Sequence, residues 1–216
     1  MIRTPTTTAA RATVTATSRY APAGVVALSA LLIAVAGCGN TSVHSPGQGP
    51  SGNAVRAAQP FGWLRPAAAG AGWHVTRIPD GGTLAYPVGW RAVPGDPGTA
   101  SAALRASDGR YLAYLNITPR QGDEREQDWG SFRARHNSAE GDTDVRVSAF
   151  ARGLSFRDGH GACVQDSYTT AVGVRYTEIA CLVQGMRAAD VIVGAAPPQQ
   201  WSREAPSIER AISAMS

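Results

Sequence analysis

Residues 163 to 181 read CVQDSYTTAVGVRYTEIAC, and this stretch constrains the fold more than any other. It is rich in Thr, Tyr, Val and Ile, with a glycine just past its midpoint, the pattern of a β-hairpin. A three-residue turn on Ala171-Val172-Gly173, with Gly173 in the left-handed position, sets Tyr168 against Tyr176. The same register sets Cys163 against Cys181, at a separation that a disulfide spans. The spacing therefore predicts a cross-strand bridge, worth about 3 kcal/mol. A redox pair would need C-x-x-C spacing at a helix start, and neither is present. The register also places Asp166 opposite Glu178. Adjacent carboxylates can hold a cation or raise one another's pKa. The arrangement expected here is an edge pair neutralised by nearby Arg175.

The third cysteine has a different setting. Residues 1 to 20 are Thr-rich and basic, without an acid, and residues 23 to 36, AGVVALSALLIAVA, are apolar. A charged front followed by a short apolar run marks a secretory signal. The run is shorter than the roughly 20 residues of a membrane-spanning helix. It ends in Val35-Ala36-Gly37-Cys38, which resembles a bacterial lipobox. That resemblance implies a diacylglycerol on the Cys38 thiol and cleavage just before it. No twin-arginine pair precedes the run, so general secretion is the expected route. The division that follows is a lipoprotein signal peptide over 1–37, a lipidated Cys38 opening a Gly/Ser/Pro tether over 38–60, and one domain over 61–216. Two acyl chains make a stable anchor, so the expected location is the cell membrane, extracytoplasmic side, where disulfides persist. FGWLRP (61–66) either opens the ordered domain or lies near the bilayer.

A hydrophobic fraction of 44% suffices for a packed core. The net charge of +4 misleads, because Arg3, Arg11 and Arg19 of the leader supply three of those charges. The remainder is nearly neutral with scattered arginines, which excludes a nucleic-acid surface.

ASAALRASDGRYLAYLNIT (100–118) reads as a second hairpin, with Asp108-Gly109 as a two-residue type I′ turn. Ala102, Leu104, Ala106, Tyr111, Ala113 and Leu115 then share the core face, and Arg105, Arg110, Leu112 and Tyr114 the other. Residues 123 to 139 read as a helix opened by an Asp123/Glu126 capping box. Trp129, Phe132 and His136 form its stripe at i, i+3 and i+7. Its acids crowd the start, and Arg133 and Arg135 the end. Residues 144–156 and 189–195 read as strands. Trp201, Ala205, Ile208, Ile212 and Met215 follow helical spacing, with Ser202 as cap and Pro206 in the first turn. Strands, helix, strands and helix in that order predict an α+β domain, an antiparallel sheet packed by helices.

GGTLAYPVGW (81–90) resembles the opening of PsbP-like domains, a family that includes actinobacterial lipoproteins of the LpqN type. The resemblance covers residues 73 to 216 and implies an α/β/α sandwich. It makes Tyr86, Pro87 and Trp90 the packing residues of a strand-and-turn motif. It also implies a non-catalytic binding or accessory role. With the lipobox and tether, the expected partner is an envelope protein or a small ligand.

No G-x-S-x-G, H-E-x-x-H, P-loop or dinucleotide fingerprint occurs, and all twenty basic residues are Arg, so no lysine chemistry is available. The remaining enzymatic constellation is Asp158 with His160 in RDGHGACV, an acid two residues from a general base. An envelope hydrolase or metal-dependent enzyme built on that loop is the alternative function. The competing reading is a Gly-rich turn with His160 exposed. The alternating acids Glu140, Asp142 and Asp144 have Ca²⁺-ligand chemistry but no twelve-residue loop, so a solvated turn is expected. Asn116-Ile117-Thr118 fits a glycosylation sequon but lies in an expected strand. No cofactor and no metal are expected.

Overall fold

The computed structural model describes residues 59–79 and 81–216. The signal peptide, Cys38 and nearly all of the tether lie outside the described residues. The elements are β1 (His74–Arg77), β2 (Thr83–Tyr86), β3 (Arg91–Val93), β4 (Ala100–Arg105), β5 (Tyr111–Pro119), a 3-10 turn (Glu126–Asp128), α1 (Trp129–Ala139), β6 (Thr143–Ser155), β7 (Gly159–Thr169), β8 (Arg175–Gly185), β9 (Ala189–Ala196) and α2 (Pro198–Ser213). Seven strands form one antiparallel sheet in the order β3-β4-β5-β9-β8-β7-β6, and β1 pairs with β2 separately. This is the α+β architecture that the element order predicts.

The β7–β8 hairpin adopts the expected register: Cys163 faces Cys181, Asp166 faces Glu178 and Tyr168 faces Tyr176. The Thr170 amide donates to Val174 across the turn, and Gly173 has φ +80°. Cys163 and Cys181 are joined by a disulfide, with Cα atoms 4.1 Å apart.

Alternation along the strands separates two cores. On one face the disulfide, Ile179, Leu115, Ile117 and Ile192 pack beneath Ile208, Ala211 and Ile212 of α2 and Leu84 of β2. FGWLRP joins this face. Phe61 and Leu64 are buried there, and the Ala67 amide donates to the Ser213 carbonyl. The motif therefore opens the folded domain. On the other face Ala162, Val164, Ala180, Leu182, Val191 and Val193 pack against Trp129 of α1. The Trp129 indole N–H donates to the Ala180 carbonyl at 2.8 Å, which pins α1 to the sheet.

Four expectations need correction. The β4–β5 turn is a three-residue loop, Ser107-Asp108-Gly109, closed between Ala106 and Arg110. Gly109 takes the left-handed position at φ +86°. Leu112 is then an extra residue, because Arg105 pairs with Tyr111 but Leu104 pairs with Ala113. That bulge reverses the alternation. Tyr111 leaves the expected core face for the opposite one, against Tyr114 and under Arg105. The Asp123/Glu126 capping box does not form, and α1 begins only at Trp129. α2 begins at Pro198, whose fixed φ suits a first helical position. Ser202 and Pro206 therefore lie inside the helix, where Pro206 removes one backbone hydrogen bond. Finally, β1 and β3 were not expected as strands.

Candidate binding groove

α1 covers only part of its sheet face. Between α1 and the β4–β5–β9 side of that face runs a groove of about 500 Å³, the size of a small-ligand site. Strand alternation points Ser101, Tyr114, Asn116, Tyr168 and Glu178 to this face, and α1 contributes Phe132, Arg133 and His136.

A buried charge network meets the groove at Arg133, Tyr168 and Glu178. Glu178, 1% exposed, accepts from Arg133 Nε at 2.7 Å and Nη2 at 3.0 Å, and from the Tyr168 hydroxyl at 3.2 Å. Asp166 lies beside it, equally buried, with Asn137 Nδ2 at 3.5 Å from Oδ2 and no hydrogen-bond partner on Oδ1. Burial, then the Glu178 charge, pushes the Asp166 carboxyl up to about 8, while Arg133 pulls the other way. Burial and Glu178 raise the Tyr168 hydroxyl as well. Two carboxyls facing one guanidinium cannot both ionise cheaply. The expected edge pair is thus an interior pair, because β6 lies outside β7. Its neutralising partner is Arg133, not Arg175.

One wall is a row of hydrogen-bonded polar groups: Ser101 Oγ exchanges a hydrogen bond with the Tyr114 hydroxyl at 2.9 Å and accepts from Asn116 Nδ2 at 2.9 Å. The other wall is the α1 stripe. Trp129, Phe132 and His136 stack in sequence with ring centroids 5.7 and 6.2 Å apart. Next to the groove, Tyr111, Tyr114, Tyr168 and Tyr176 line a smaller depression. Asp96 and Glu140 are exposed where they line the groove, and Glu124 is buried there. Glu124 Oε1 accepts from the Gln121 amide at 3.1 Å, and Oε2 has no partner.

His160 and Asp158 do not share a site. His160 is 68% exposed and meets Glu126 Oε1 at 3.2 Å. Asp158 sits before β7 and lines a separate depression with Arg77 and Met186. The Asp142 amide donates to the Asn137 carbonyl, and burial, then Glu178, raises the Asp142 carboxyl. Among the described residues no group of three His, Cys, Asp or Glu side chains is placed to hold a metal ion. Asn116 of the sequon sits within β5 with its amide held by Ser101.

No protein-family model matches the sequence, and no curated protein matches it. Among solved structures, cyanobacterial PsbP from Synechocystis superposes with a TM-score of 0.50 at 14% identity, over 69% of this chain and 97% of that one. The fold is PsbP-like. LpqN of Mycobacterium tuberculosis, involved in cell envelope biogenesis, has a TM-score of 0.37 at 15% identity, over 67% of this chain and 89% of its own. In this PsbP-like domain Tyr86 and Trp90 are buried, and the Trp90 amide donates to the Pro87 carbonyl at 3.2 Å. They sit in the α2-side core, away from the groove. Sequence reasoning missed the groove residues Ser101, Tyr114, Asn116, Glu124 and Tyr168, and read Arg133 only as a helix-end charge. The visible signals were the hairpin register, which brings Asp166 to Glu178, and the Trp129, Phe132 and His136 stripe.

Proposed function

We propose that this protein is a lipid-anchored binding protein of the bacterial cell envelope. Cys38 holds it to the outer side of the cell membrane, and its PsbP-like domain takes a ligand or partner into the groove without catalysing a reaction. The groove carries this reading. Its walls are set before any ligand arrives, by the Ser101–Tyr114–Asn116 bonds and the Arg133–Glu178 pair, and such preorganisation favours binding. The lipobox supports the anchor. The described chain enters the domain at Phe61, on the α2 side of the sheet, whereas the groove lies on the α1 side. The hydrolase alternative gains nothing from the positions of Asp158 and His160.

Native mass spectrometry of the full-length protein, extracted gently from membranes of its own source, tests this. The expected species starts at Cys38, carries lipid and retains a bound molecule that an Asn116→Trp variant loses. A chain starting at Met1 without lipid refutes the anchor. A turnover that disappears in His160→Ala refutes the non-catalytic role.

A further inference from the structure

We infer that the groove takes an organic amine, its N–H groups donating to Glu124 while its aliphatic body lies along the α1 aromatics. This rests on the binding role proposed above and names its ligand class.

The argument begins with charge. Asp96, Glu124 and Glu140 all line the groove, and Arg133 is the one guanidinium among its described lining residues. Arg133 is already engaged through two nitrogens by Glu178, so the groove keeps a net negative charge. An anionic ligand would meet three carboxylates. The second observation is Glu124 itself. It is only 7% exposed, its Oε1 is occupied by the Gln121 amide, and its Oε2 has no partner. A buried acceptor without a donor is unfavourable until one arrives, and an ammonium N–H makes the stronger, charge-assisted bond. Third, Phe132 and Tyr168 line the same groove, and aromatic faces attract cations and cover aliphatic chains. A neutral sugar fits less well, because Ser101 Oγ, the Tyr114 hydroxyl and Asn116 Nδ2, on which it would draw, are already bonded to one another.

The test is calorimetric titration of the full-length protein in detergent micelles with four probes. Spermidine supplies a free amine, a blocked Gly-Lys-Gly peptide supplies the same group on a side chain, choline supplies a cation without an N–H, and N-acetylglucosamine supplies a neutral sugar. Spermidine or the lysine peptide is expected to saturate one site, and the tighter of the two identifies the source. Choline should bind more weakly than the better amine. Glu124→Gln, which keeps the side chain's size, should weaken that amine about tenfold, the scale of a charged hydrogen bond. An unchanged thermal melt checks its fold. Equal amine affinity for wild type and Glu124→Gln overturns the inference. Saturation by N-acetylglucosamine alone overturns the amine but leaves the binding role standing. If no probe saturates the groove, the amine inference falls, and the binding role is decided by the bound molecule or partner seen in native mass spectrometry.

Discussion

Arg133 and Asp166 show how a buried polar cluster ties one helix to a sheet. Arg133 reaches from α1 and supplies two hydrogen bonds to Glu178, a carboxylate closed off from solvent. Removing it leaves that charge uncompensated. Arg133→Ala should lower stability by about 3–5 kcal/mol in urea unfolding, and pairing Arg133→Met with Glu178→Gln should restore much of the loss. Asp166 leads to a prediction in pH. Its folded carboxyl titrates at about 8, against roughly 4 for an unfolded aspartate. Between those values the folded state holds a proton that the unfolded state has released. Stability from this group is therefore complete below pH 4, falls as pH rises toward 8 by up to about 1.4 kcal/mol per unit, and levels off above that. Asp166→Asn mimics the protonated acid. Its stability should fall less than that of wild type from pH 5 to pH 8, and parallel profiles would remove Asp166 as the cause.

At the scale of elements, the β7–β8 hairpin is held by its ladder and by its bridge. The Cys163→Ala/Cys181→Ala double variant should lose about 3 kcal/mol, and reductant should produce a comparable loss in wild type and none in the variant. This hairpin was legible because its strands, its glycine turn and its cysteines are local to one another. The β4–β5 hairpin was half legible. Asp-Gly marks a turn, but it serves both two-residue and three-residue loops, and the Leu112 bulge that compensates the difference has no local signature. β1 and β3 have only four and three residues, so pairing with β2 and β4 decides them rather than any pattern of their own. The groove was least legible. The hairpin register brings Asp166 to Glu178, but Arg133 arrives from 45 residues away through the docking of α1, and Ser101 and Asn116 of the sheet and Glu124 of the loop after β5 line the groove only in the folded domain.

Across the whole domain, the sheet separates two roles. Its α2 face carries the larger core and receives the N-terminal segment, and its α1 face carries the charge network and the groove. Phe61 and Leu64 belong to the core of the α2 face and not to the lining of the groove. A variant beginning at Ala67 should lose at least about 3 kcal/mol in urea unfolding, the scale of deleting large apolar side chains from a core. Under native conditions, at a temperature where it remains folded, its groove ligand should bind within about twofold of the untruncated domain, because nothing on the α1 face has been removed. A loss of binding equal to the loss of folding free energy would mean that the two faces are one cooperative site. A loss of binding in a domain that stays folded would place residues 59–66 in the groove itself, and the division of the sheet into a core face and a receptive face would then be wrong.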